Sequence, residues 1–168
     1  MADWANDDSL GVDFGARFTT EQTNRIAPQG GQITKTAAFS VTRDMAGKTI
    51  VLNNTTGFAV TLPTALGTGL KFNFVFGATV GSGNMTVKSV RGADVWYGLA
   101  LGLDGDGVPA NAWAASGTID GANFDGSTQG GVVGDTLELT DVAANIWLVQ
   151  ARVQQSGTEA TPFADTVT

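Results

Sequence analysis

Neither histidine nor cysteine occurs among the 168 residues. The first absence removes the commonest general base and the commonest metal ligand. The second removes the thiolate nucleophile and every disulfide staple. A fold without staples must hold by burial and backbone pairing alone, which fits assembly inside a cell. Proline is scarce, at 4 residues against 23 glycines, the balance expected of many tight turns between short strands. Glutamate and lysine are few, so little is available to build a charged helix face. No run approaches the roughly 18 to 20 apolar residues of a membrane span. The opening stretch, Met1-Ala-Asp-Trp-Ala-Asn-Asp-Asp8, is acidic where a signal peptide would be basic, so a soluble, unprocessed chain is expected.

Basic residues are also in short supply. The net charge of −7 argues against nucleic acid as a partner, because phosphates must be met by Lys and Arg. The acidic excess is uneven: after residue 91 the only basic side chain is Arg152. One reading is a solvated acidic surface built from turn aspartates. The other is that subunits meet a basic partner, or each other, through complementary patches.

What is present reads as three segments: an arm over residues 1–34, a β-domain over 35–153 and a polar tail over 154–168. In the arm, Trp4, Leu10, Val12, Phe14, Phe18 and Ile26 follow neither a strand nor a helix period, and Pro28-Gln-Gly-Gly31 closes it. A short helix near Thr19–Arg25 fits Thr19 or Thr20 as its cap. Trp and two Phe suit an extended arm that docks on another molecule; folding back over its own domain is the alternative.

From Lys35 onward apolar residues alternate. Phe39 and Val41, Thr49–Leu52, Phe58–Leu62, Leu70–Phe76 and Met85–Val90 read as strands, with Asn53–Gly57 as a hairpin connection. Leu70, Phe72, Phe74 and Phe76 share one face and mark the centre of the core. Residues 92–131 read as the loosest region, holding apolar Trp96–Leu103 and a short strand at Ala115–Ile119. A closing hairpin sets Leu137/Leu139 and Ile146/Leu148 on a buried face, with Trp147 opposite them. The expected fold is all-β: an antiparallel barrel or jelly-roll-like sandwich of about eight or nine short strands.

Four segments occur in order: Val60-Thr-Leu-Pro63, Gly69-Leu-Lys-Phe-Asn-Phe74, Gly83-Asn-Met-Thr-Val87, and Gly134-Asp-Thr-Leu-Glu-Leu139 leading to Asn145-Ile-Trp-Leu-Val149. Together they resemble the small β-modules of tailed-bacteriophage virions, in capsid decoration (cement) proteins and in fibre or tail heads, over residues 35–153. The resemblance implies a structural virion protein. Such a protein would be a homo-oligomer, with a trimer favoured. It would assemble in the host cytoplasm and bind the major capsid protein on the capsid exterior. A carbohydrate- or receptor-binding module of a fibre or tail is the alternative.

No catalytic, cofactor or metal role is expected. Asp104-Gly-Asp-Gly107 fills only two positions of a calcium loop. Asp120 and Asp125, considered as a carboxylate pair for glycoside hydrolysis, read instead as caps of their own loops. The chain has no Gly-x-Ser-x-Gly elbow and no phosphate-gripping Gly-Lys-Ser/Thr. Trp4, Phe14 and Phe18 are the expected arm anchors. Trp96, Tyr97 and Trp113 are the expected interface residues, with burial under loops as their alternative.

Overall fold

A computed structural model of the chain describes residues 31–105, 107 and 110–167. The arm anchors Trp4, Phe14 and Phe18, and the helix expected near Thr19–Arg25, lie outside the described residues. Twelve strands are present in chain order: β1 Gln32–Lys35, β2 Phe39–Ser40, β3 Thr49–Leu52, β4 Ala59–Thr61, β5 Lys71–Phe76, β6 Met85–Lys88, β7 Val95–Asp104, β8 Asn111–Ile119, β9 Gly121–Phe124, β10 Thr136–Ala143, β11 Ile146–Gln155 and β12 Phe163–Ala164. One turn of 3₁₀ helix, Arg43–Met45, is the only helical piece among the described residues.

The strands form two mixed sheets. One has seven strands in the order β1-β3-β5-β10-β11-β7-β8; the other has five, β12-β9-β6-β4-β2. From β1 to β6 the chain steps from one sheet to the other at every strand. Each strand therefore lies parallel to the one two before it: β1–β3 and β3–β5 in one sheet, β2–β4 and β4–β6 in the other. Hairpins enter only later, as β7–β8 and β10–β11.

This corrects the antiparallel expectation. Half of the strand pairings are parallel, among the described residues no barrel closes, and the jelly-roll pattern is not formed. Asn53–Gly57 is accordingly a crossing between sheets, with β3 and β4 on opposite sides of the core.

The all-β expectation itself holds, and its physical centre is where the alternation places it. Phe72, Phe74 and Phe76 are at most 1% exposed, and Leu70 is partly buried at the rim. Phe76 meets Phe124 of the other sheet edge-on at 4.9 Å, and Phe72 lies 5.8 Å from Trp147. Ile50, Leu52, Leu137, Leu139, Val149 and Val153 line the same core from the larger sheet. Val60, Met85, Val87 and Ala122 line it from the smaller one.

Three further expectations change. The closing hairpin forms, turning at Ala144-Asn145 with Asn145 in the left-handed region (φ 63°), a conformation Asn tolerates. Its second strand is inverted relative to the reading above, however. Trp147, Val149, Ala151 and Val153 face inward, while Leu148 is 38% exposed. The domain boundaries also shift, since β1 already belongs to the sheet. The tail is structural too: Phe163 is buried, and the Thr166 and Val167 amides donate to Asp120 at 2.5 and 2.9 Å. Finally, the described residues of 92–131, expected to be the loosest part, hold the long strands β7 and β8.

Candidate functional site

Strand β7 carries the sequence Leu99-Ala-Leu-Gly-Leu103, and its large side chains point away from the core. Ala100 and Gly102 are buried, whereas Leu99, Leu101 and Leu103 are 46%, 47% and 67% exposed. The inner side is already occupied. A Cβ on Gly102 would collide with the Gln155 side chain, whose amide donates to the Thr128 and Ala160 carbonyls and accepts from Trp113 Nε1 at 3.1 Å. With that buried polar cluster filling the space, only small residues fit inward. The leucines are left on the outer face of the seven-stranded sheet.

Register shows what stands beside them. Tyr97, Leu99 and Leu101 pair with Ser116, Ala114 and Ala112 of the edge strand β8. On the other side they pair with Leu148, Gln150 and Arg152 of β11. Next come Thr140, Glu138 and Thr136 of β10, then Lys71, Asn73 and Val75 of β5. The outer face thus grades from an uncharged apolar strip over β7 and β8 to a polar field over β11, β10 and β5. Where they meet lies an open groove of about 270 Å³ lined by Val75, Asn73, Thr136, Glu138, Gln150, Arg152, Leu99 and Leu101. Glu138 also pairs with Lys71 of β5 at 3.0 Å. The side chains of Asn73, Gln150 and Arg152 make no hydrogen bond to any described residue, so their donors and acceptors face solvent.

The expected interface residues divide. Trp96 is wholly buried, its Nε1 donating to Ser89 Oγ at 2.9 Å, so it belongs to the core and is no surface anchor. Trp113 is partly buried and bonded to Gln155, as above. Tyr97 is 47% exposed, and its ring lies over Gly117, where a side chain would strike it. Leu99, Leu101, Leu103 and Leu148 were missed. Their spacing was legible, but alternation alone does not say which face is inward.

Of the two aspartates weighed for chemistry, Asp125 caps its own loop as expected, whereas Asp120 holds the tail instead of its own loop. Asp120 accepts from Thr166 Oγ1 at 2.9 Å as well as from the two tail amides. Asp125 accepts from the Ser127 and Gln129 amides, both at 2.9 Å, and from Thr128 Oγ1 at 2.6 Å. Burial pushes the Asp125 carboxyl up, but the Thr128 hydroxyl and the two amides outweigh it and hold it below its ordinary value. Asp135, facing the Gly131, Val132 and Gln154 amides, is pushed up by burial. Asp106 of the Asp104–Gly107 turn lies outside the described residues. Among the described residues no three acidic side chains cluster to hold a metal ion, and no helix is long and apolar enough to cross a membrane. No family model matches the chain, and no significantly similar curated protein or solved structure is found.

Proposed function

We propose that this chain is a structural virion protein, a capsid decoration (cement) module that binds the assembled shell from outside through contacts to the major capsid protein. The observation that carries this reading is the exposed row Tyr97, Leu99, Leu101, Leu103 with Leu148 beside it. This is apolar surface beyond what the core needs, lying along one side of the sheet. Contiguous apolar surface on a soluble domain marks a place where another protein sits. Covering the exposed halves of the three leucines would contribute about 1 kcal/mol each. The resemblance of the segment order to that of virion β-modules supports the same reading.

The mechanism is thermodynamic. A module that binds the finished lattice and not free subunits stabilises the lattice by mass action, and several weak contacts per oligomer add through avidity. The test is co-sedimentation with intact phage heads, and the heat resistance of those heads, using the wild-type chain and a Leu99→Lys/Leu101→Lys variant. Wild type sediments and protects, and the variant does neither. Equal sedimentation of both refutes the assignment of this face.

A second reading has its own observation. The groove sets Asn73, Glu138, Gln150 and Arg152, polar groups of the kind that grip sugar hydroxyls, beside the apolar wall of Leu99 and Leu101. That arrangement suits a carbohydrate-binding module of a fibre or tail. Retention of a specific glycan on an array, lost in Arg152→Ala, would favour it over decoration.

A further inference from the structure

The four terminal strands of the two sheets are unequal. Strands β2 and β12 have two residues each, and β1 has four and ends on Lys35. Strand β8 has nine, Asn111–Ile119, with no proline and no charged side chain. One side of it is laddered to β7 from Gly102↔Asn111 to Trp96↔Ile119. On the other side no backbone group of Asn111–Ile119 bonds to any other described strand or loop. Natural sheets blunt their edges by shortness, lysine, proline or a cover, because a bare edge is a template for another strand. Three edges here follow that rule, and β8 does not.

We propose that β8 is the seam between two copies of this chain. The two strands pair antiparallel across a two-fold axis at Ala114, which sets Ala112 opposite Ser116 of the second copy, and join two seven-stranded sheets into one. A second copy is the occupant for two reasons. An antiparallel ladder of identical strands maps onto itself under a two-fold axis, so the pairing consumes both long edges and closes. In addition, each copy carries a net charge of −7, and β8 offers a stretch along which two such chains meet with no like charges opposed. The assembly is a dimer, in place of the trimer implied by the virion resemblance.

The register shift between Trp96 and Tyr97 interrupts the strand beyond Ser116. Regular pairing therefore spans Ala112–Ser116, about 17 Å of strand. Such a seam covers less than the roughly 800 Å² per partner of a standard stable complex. The free dimer is accordingly weak, and it tightens where a lattice holds copies side by side. This inference goes beyond shell binding: the seam is the sheet edge, whereas the apolar row is its face.

A chain without cysteine allows a clean test. Single variants Ala112→Cys, Ala114→Cys and Ser116→Cys place one thiol on the exposed side of β8, and Thr34→Cys places one on the opposite edge strand. After mild oxidation, the β8 thiol nearest the axis should give about tenfold more disulfide-linked dimer than Thr34→Cys, because bridging needs Cβ atoms about 4 Å apart. Light scattering over a dilution series should show wild type rising to twice the 17.2 kDa chain mass. Ala112→Lys/Ala114→Lys should stay monomeric with an unchanged β-spectrum. Four results would each overturn the seam: a wild type monomeric at every concentration, a threefold mass, a dimer unaffected by the lysine pair, or equal crosslinking at Thr34. Co-sedimentation with phage heads is read on the same samples, so failure of shell binding shows separately from failure of the seam.

Discussion

Removing the Asp141 carboxylate should loosen the end of the molecule where loop 64–69 is tied to the closing hairpin. Asp141 sits on β10 with 1% of its surface exposed, and four donors converge on it. The Leu66, Gly67 and Thr68 amides reach it at 2.9, 2.6 and 3.1 Å, and Thr68 Oγ1 at 2.5 Å. Arg43 Nη1 stands 3.9 Å away, and Arg43 Nη2 donates to the Thr64 carbonyl at 3.0 Å, closing the cluster from the 3₁₀ turn. A hydrogen bond to a charged acceptor is worth about 1.5–3 kcal/mol net, so the raw sum is large. Leu66, Gly67 and Thr68 are themselves exposed, however, and water can reach their amides once the loop shifts.

Asp141→Ala should therefore cost about 3–4 kcal/mol, well short of the sum, against a total of roughly 5–15 kcal/mol for a domain. Asp141→Asn keeps one acceptor but turns an amide NH₂ toward the remaining donors, and should cost about 2 kcal/mol. The pH dependence adds a second test. Burial raises the Asp141 carboxyl, but the Thr68 hydroxyl and the three amides outweigh it and hold it below its ordinary value. Its contribution is thus fully present above about pH 4 and is lost as pH falls through the lowered folded-state value. Urea unfolding followed by tryptophan fluorescence at neutral pH and near pH 3 measures both effects. The gap between wild type and Asp141→Asn should narrow on acidification. A cost below about 1 kcal/mol for the alanine variant, or a gap unchanged with pH, would refute the reasoning.

Other outcomes follow from single contacts. Trp96→Phe should lose about 1 kcal/mol more than Trp147→Phe, because only the first gives up an indole hydrogen bond; Trp147 Nε1 has no partner among the described residues. Equal losses in equilibrium unfolding would contradict this. Gly98→Ala should prevent stable folding, since φ is 141° and a Cβ would collide with the Val149 carbonyl in the β7–β11 ladder; a soluble variant with wild-type melting would overturn it. Leu101→Lys should leave stability within about 0.5 kcal/mol while abolishing shell co-sedimentation. Deleting residues 1–30 should abolish shell binding with the far-ultraviolet β-spectrum kept, and undiminished binding would remove the arm from the mechanism.

Local chemistry is written plainly in the chain. The inward phenylalanines of β5, the stop at Pro63, the Asn145 turn and the loop-capping role of Asp125 all depend on neighbours in sequence, so alternation and turn residues reveal them; that of Asp120, whose partners Thr166 and Val167 lie in the tail, does not. The same holds for the all-β class, since strand length and glycine content need no tertiary partner. Sheet membership does not work this way. The parallel stacking β1-β3-β5 takes 17 residues from Gln32 to Thr49 and 24 from Thr49 to Asn73, and such uneven steps leave no repeat to read. A strand bound for the opposite sheet looks the same locally as one bound for a hairpin. Leu99, Leu101 and Leu103 make the point most sharply. Period two puts the three on one face without saying which, and the Gln155 and Trp113 side chains fill the inner space and leave that face to solvent. Which apolar surface is left for another molecule was decided by volume, and volume is known only once the sheets have packed.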